Sequence, residues 1–247
     1  MTRRLAVTAS GDFSVKLWCA TTGKELVEMK HKHVVKSVDF SSDTSKIVSG
    51  CQDGLLRIYQ TATPESPIQE IKIGTDLSTA ITKCQWMDDE GLVLVGKRSG
   101  VVELWDIRES GSTGPALQAT VSEEKDPVMD VEFSKMHGLI TVAAGSSIFA
   151  LNSKDLSIRN KIACPDKMHF REEGGASLHP DASKIISGGS DLWVREFDAN
   201  TGEVLRLFKG HHGPVRCVRY HPSGNSVATG SEDATIRIWS VCESGVQ

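Results

Sequence analysis

The chain has 247 residues, a formal net charge of −4 and 39% hydrophobic residues. That is enough for a large core, and it lacks the strong basic surplus that non-specific nucleic-acid binding requires. Its six cysteines, at positions 19, 51, 84, 164, 217 and 242, form no C-x-x-C pair, and the apolar run at 5–9 behind Arg3 and Arg4 is too short for the core of a secretory signal. No apolar stretch approaches the length of a membrane span. Reduced, mostly buried thiols in a cytoplasmic and nuclear protein are the expectation.

Taken in order, the chain reads as short apolar runs separated by turn signals. Residues 1–30 hold runs at 5–8, 14–18 and 25–29 with the turn Thr21-Thr22-Gly23-Lys24. Residues 31–73 end in a run at 68–73, behind a loop whose Pro64 and Pro67 close the preceding strand. Residues 74–121 hold runs at 81–86, 92–95 and 101–105, then the flexible composition of 109–115. Residues 122–162 give strands at 128–133, 139–143, 147–151 and 157–162. A segment at 163–208 follows, then 209–240 with runs at 215–220, 226–230 and 235–239, and a tail at 241–247.

These segments are copies of one another. An Asp lies six residues before an aromatic, with a basic residue two before the aromatic: Asp12, Lys16 and Trp18; Asp53, Arg57 and Tyr59; Asp191, Arg195 and Phe197; Asp233, Arg237 and Trp239. A copy at Ser99 and Trp105 has lost the Asp, and one near 147–151 has lost most of the signature. The anchors recur every 41 to 47 residues, the period of a four-stranded propeller blade. By this pattern the chain resembles the WD-repeat family, and the expected fold is an all-β WD-repeat β-propeller.

The spacing has a physical purpose. If His211, Thr229, Asp233 and Trp239 converge, the indole N–H donates to the hydroxyl, the hydroxyl to one imidazole nitrogen, and the other imidazole N–H to the carboxylate. A charge-assisted link of this kind contributes about 1.5–3 kcal/mol, and breaking one strands buried polar atoms at similar cost. His31, Ser49, Asp53 and Tyr59 align with that tetrad, as do Thr8, Asp12 and Trp18 without a histidine, and His169, Ser187 and Asp191 with Phe197 in the donor's place. Because Phe197 has no donor, the chain of bonds there is expected to be shorter or re-routed. In the segment at 74–121, Leu77, Val95 and Ser99 stand where the tetrad would be. The recurrence at blade period makes these residues structural in expectation, in preference to a catalytic His–Asp pair.

The count gives 22 strands, in sets of three, four, four, four, four and three. Seven four-stranded blades would need six more, which the family's ring closure places before Met1. The expectation is a seven-bladed propeller lacking about one and a half N-terminal blades, with raw sheet edges that promote self-association. A closed six-bladed ring with a defective seam is the rival.

Chemical motifs are scarce. Residues 91–98, GLVLVGKR, nearly spell a phosphate loop, yet residues 92–95 read as the strand itself, Arg98 replaces the required hydroxyl and no helix follows. His31, His33 and Cys51, or His211, His212 and Cys217, lack the paired spacing of a zinc module. The acidic runs Asp88-Asp89-Glu90 and Glu123-Glu124 read as solvated turns. No metal, no cofactor and no catalytic residue are expected, and a propeller enzyme remains a residual reading.

Longer stretches narrow the resemblance. KHVVKSVDF at 32–40, GCQDGLLRIY at 50–59, ASLHPDASKIISGGSD at 176–191 and residues 210–239 are similar to the serine/threonine kinase receptor-associated protein (unr-interacting protein) family. That resemblance implies a non-enzymatic scaffold in assembly of spliceosomal small nuclear ribonucleoproteins with the survival of motor neuron complex and Gemin proteins, and a part in receptor kinase signalling. The propeller subunit of eukaryotic translation initiation factor three, with its similar layout and G-H-x-G-P at 210–214, is the alternative. In the WD-repeat family, residues just before a first strand and just before the turn Asp point to a partner-binding face. By alignment these are Lys32, His33, Gln52, Arg98, His212 and Glu232, and direct nucleic-acid contact is not expected.

Overall fold

The computed structural model describes residues 4–87, 91–108, 114–122, 124–165, 167–172 and 174–241. The acidic turn at 88–90, most of the linker at 109–113, Glu123, Cys242 and the rest of the tail lie outside the described residues. Contacts group the chain into two compact units, Met1–Thr120 and Val121–Gln247.

The first unit holds three sheets. They are β1 (Leu5–Ala9), β2 (Ser14–Cys19) and β3 (Glu25–Lys30); β4 (Val35–Phe40), β5 (Lys46–Cys51), β6 (Leu55–Gln60) and β7 (Gln69–Lys72); and β8 (Ile81–Trp86), β9 (Leu92–Lys97), β10 (Val101–Asp106) and β11 (Leu117–Thr120). The second unit holds β12 (Val128–Ser134), β13 (Leu139–Ala144), β14 (Ser147–Asn152) and β15 (Ile158–Ala163); β16 (Gly175–Leu178), β17 (Lys184–Gly188), β18 (Val194–Asp198) and β19 (Val204–Phe208); and β20 (Val215–Tyr220), β21 (Ser226–Ser231) and β22 (Ile236–Ser240). Each sheet is an antiparallel meander, and the described strands number 22, as expected. The strand ends differ from the expected ones by a residue or two, and the fourth strand of the third sheet ends at Thr120. Among the described residues, no helix is long and apolar enough to cross a membrane.

Burial explains why the strands read as they do. Second strands such as β5 and β9 are buried on both faces, so they read as continuous apolar runs. Fourth strands such as β7 and β15 alternate, because one of their faces meets water. In the first unit, Val48, Leu56, Ile58, Ile71, Ile81, Trp86, Val93 and Trp105 share one core cluster, and Val15, Met29, Val35, Ile47 and Tyr59 form a second. In the second unit, Ile148, Ile162, Met168, Phe170, Leu178 and Phe197 pack together, as do Ile186, Val194, Val215, Val218 and Val227.

First strands of successive sheets touch without forming a ladder, so their backbone N–H groups need other acceptors. A side chain from the preceding first strand supplies one. Asp39 of β4 accepts from the Trp86 N–H at 3.0 Å, Glu132 of β12 from the Leu178 N–H at 2.8 Å, and the Ser177 hydroxyl of β16 from the Tyr220 N–H at 3.0 Å. A register shift after the first residue of β4, β8, β12 and β20 recurs in the same place, a bulge that re-aims the side chains beyond it. Ser37, just past one such shift, donates to the Cys84 carbonyl at 3.1 Å, and Asp130, just past another, receives a bidentate Arg219 at 2.5 and 2.8 Å.

Close approach of sheets also explains the glycine near the end of a second strand. A Cβ on Gly50 would lie 2.5 Å from Ile81 Cγ2, and one on Gly188 would lie 2.6 Å from Val215 Cγ1. We expect Gly50→Val to destabilise the chain by about 1–3 kcal/mol in denaturant unfolding, through overpacking. Combining it with Ile81→Ala should recover part of that loss; a Gly50→Val chain as stable as the parent would show that the sheets can separate freely.

Candidate functional site

The expected tetrad is assembled in the sixth sheet. The Trp239 indole N–H donates to Thr229 Oγ1 at 2.8 Å, Thr229 Oγ1 lies 2.8 Å from His211 Nε2, and His211 Nδ1 lies 3.0 Å from Asp233 Oδ2. A neutral imidazole protonated on Nδ1 satisfies every link: the hydroxyl donates to Nε2 and Nδ1–H donates to the carboxylate. Asp233 also accepts from the Thr235 hydroxyl at 2.6 Å and from the His212 N–H at 2.9 Å. The Thr235 hydroxyl first, then the His212 N–H, holds its carboxyl well below the usual carboxylate range. The imidazole of His211 is fully buried.

Other sheets use the same positions differently. In the first, Trp18 donates to Thr8 Oγ1 at 2.9 Å, and Asp12 is engaged by the backbone and hydroxyl of Ser14. In the second, His31 Nε2 meets the Ser49 hydroxyl at 2.9 Å and the Tyr59 phenol at 3.3 Å, while its Nδ1–H donates to the Met29 carbonyl at 3.1 Å. The expected His31–Asp53 link is therefore replaced: Asp53 pairs with the buried Arg57 at 2.8 Å, and Arg57 also reaches Glu70 at 2.7 Å. Tyr59 carries its hydroxyl to Nε2, the nitrogen that Ser49 also meets.

In the fifth sheet the aligned residues are not joined. Ser187 donates to the Gly175 carbonyl at 2.7 Å, Asp191 pairs with Arg195 at 2.5 Å, and His169 Nδ1 is buried without a partner among the described residues. Phe197 supplies no indole N–H to the Ser187 hydroxyl, which donates to the backbone here.

The third sheet holds an arrangement that the repeat template did not foresee. The Trp105 indole donates to Glu103 Oε2 at 2.9 Å, and Glu103 Oε1 pairs with Lys97 at 2.5 Å; the side chains are 3% and 10% exposed. The basic residue two before the aromatic has become acidic, and the cation has moved to the second strand. A charged residue facing inward at each of those places was the available signal. This pair also fixes Lys97 of the phosphate-loop look-alike inside the sheet, and residues 92–97 are strand.

The residues assigned to partner binding sit on the turns that these anchors hold. In the first unit Lys32, His33 and Arg98 are exposed and Gln52 is half-buried. The Gln52 N–H bonds the Val34 carbonyl, the Arg98 N–H bonds the Ala80 carbonyl, and the His33 ring lies 5.8 Å from Phe13. In the second unit His212 and Glu232 are exposed, and Glu232 pairs with Arg216. The turn residue after the Asp position has positive φ in Phe13, Gly54, Leu192 and Ala234, so the backbone path there is shared even where glycine is absent. Among the described residues, no group of three or more His, Cys, Asp or Glu is placed to hold a metal ion. Cys51 and Cys84 are buried, Cys19 and Cys164 half-buried, and Cys217 is exposed.

His31 gives these anchors a pH dependence. Burial, ahead of any neighbouring charge, pushes its pKa below the ordinary 6.5, against the opposing Met29 carbonyl bond. The unfolded chain therefore binds that proton more readily. Stability is fully present above about pH 6.5 and falls as pH drops through the folded value. We expect denaturation midpoints to decline between about pH 7 and pH 5, and His31→Gln to flatten part of that decline. An identical profile for the variant would remove His31 from the account.

Known proteins bear on this geometry. The pattern described as WD domain, G-beta repeat matches residues 23–60 and 202–240, which include the Asp53 and Asp233 turns of the second and sixth sheets. The chain is 37% identical over 234 residues to the serine-threonine kinase receptor-associated protein of Dictyostelium discoideum, covering 95% of this chain and 75% of that protein. It is 36% identical over 234 residues to the Gallus gallus protein of the same name, where it spans 63% of the relative's length. It is 27% identical over 255 residues to eukaryotic translation initiation factor 3 subunit I of Caenorhabditis elegans, covering 94% of this chain and 75% of that protein.

Proposed function

The chain belongs to the serine-threonine kinase receptor-associated protein family of WD-repeat proteins, and on that premise we propose that it is a non-enzymatic scaffold for protein–protein interaction. One observation carries this reading. The side chains that could do chemistry, His211 with Asp233 and Lys97 with Glu103, are engaged inside their own sheets, whereas Lys32, His33, Arg98, His212 and Glu232 are exposed outside the strands. A scaffold works by holding such turns in fixed positions, so that few residues need to supply the binding energy.

The finer reading follows the family. The chain acts in assembly of spliceosomal small nuclear ribonucleoproteins with the survival of motor neuron complex and Gemin-type components, and in receptor kinase signalling, in cytoplasm and nucleus. Lys32, His33, Gln52 and Arg98, and separately His212 and Glu232, are the partner-facing residues.

Affinity capture with the tagged chain tests this. We expect ribonucleoprotein assembly factors to be recovered, and the paired charge reversal Lys32→Glu with Arg98→Glu to reduce recovery at least several-fold while the thermal midpoint stays unchanged. Recovery of initiation-factor subunits instead would favour the alternative family. Full retention of every partner by the variant would show that those turns are not the binding surface, and turnover of a substrate would overturn the non-enzymatic reading.

A further inference from the structure

Fourth strands obey a rule that the fifth sheet breaks. Opposite the third-strand residue two before the anchor, the first four sheets place Glu28, Glu70, Gln118 and Lys161, all polar and exposed. The fifth sheet places Leu207 there, opposite Arg195. Leu207 is 42% exposed, and Val204 and Leu205 of the same strand are 47% and 45% exposed. Because β19 is the last strand of its sheet, one side of its backbone has no ladder partner, and an apolar strand edge without charged side chains is a template for another strand.

The sequence of the strand says which one. Residues 203–209 read Glu-Val-Leu-Arg-Leu-Phe-Lys. Laid antiparallel against a second copy of itself about Arg206, this segment sets Leu205 against Leu207 of the copy, Leu207 against its Leu205, and Val204 against its Phe208. Glu203 then faces Lys209 of the copy at both ends of the contact. Both residues are exposed, and Lys209 Nζ lies 4.4 Å from the centre of the Trp193 ring rather than on a carboxylate. The central pair is Arg206 with its symmetry mate, and each guanidinium is already held by Glu196 and the Val241 carbonyl, so no unpaired charge meets its like. An axis through Leu205 would oppose Glu203 to Leu207, and one through Leu207 would oppose Lys209 to Leu205. Apolar and charge pairing therefore agree in one register.

We propose that β19 is the interface of a symmetric dimer, in which two copies of this chain join their four-stranded fifth sheets edge to edge. The contact uses the same patch on both copies, so it closes at two. The inference goes beyond the scaffold reading and does not depend on it.

Sedimentation of the intact chain over a rising concentration series tests it, and a reversible monomer–dimer equilibrium should appear. Leu207→Glu installs the residue type that the first two sheets carry at this position, so the thermal midpoint should hold while the dimer dissociation constant rises about tenfold or more. Glu203→Lys sets lysine against lysine and should weaken the dimer several-fold; adding Lys209→Glu exchanges both charges and should restore it. That exchange carries the test if Leu207→Glu fails to fold. A chain that stays monomeric, assembly beyond two copies, a dimer indifferent to Leu207→Glu, or a charge exchange that leaves association weak would overturn the proposal. None of these outcomes bears on partner recovery in affinity capture, so the scaffold reading stands or falls separately.

Discussion

An indole N–H carried into the contact between two sheets must find an acceptor, and most of the polar architecture follows from how each sheet provides one. Trp18 and Trp239 use a threonine hydroxyl on the second strand. Trp105 uses a carboxylate on its own strand, which then requires the Lys97 ammonium beside it. Where the aromatic changes, the network around it changes: Tyr59 brings its own hydroxyl to His31, and in the sheet of Phe197 the Ser187 hydroxyl bonds the backbone. Among the described residues Trp86 Nε1 is buried without a partner.

That requirement separates structural from recognition roles. His211 has both ring nitrogens engaged within its sheet, and its imidazole is fully buried. The turns that these bonds hold carry exposed side chains whose own backbone groups are already satisfied, and such rigid, decorated turns are what a binding surface needs.

The strands, their grouping and the turn positions were legible because they repeat: a period near 44 residues makes each copy evidence for the next. The tetrad of the sixth sheet was legible for the same reason. What escaped the sequence were pairings that the repeat does not encode. The Lys97–Glu103 pair lies where the template is degenerate, and a charge inside an apolar run carries no label for its partner. Asp39, Glu132 and Ser177 serve backbone groups 43 to 47 residues away on another sheet, so no local window contains both members. The loss of the His31–Asp53 link follows from Arg57 being buried, which periodicity alone does not reveal.

The central claim is that the residues of the sixth sheet act as one connected chain of hydrogen bonds through His211. A double-mutant cycle between Thr229→Val and Asp233→Asn tests it most directly, since those two side chains communicate through the imidazole. Unfolding free energies should be non-additive, with a coupling of about 0.5–3 kcal/mol. Additive effects, within about 0.3 kcal/mol, would mean that the two ends stabilise the sheet independently and would contradict the account.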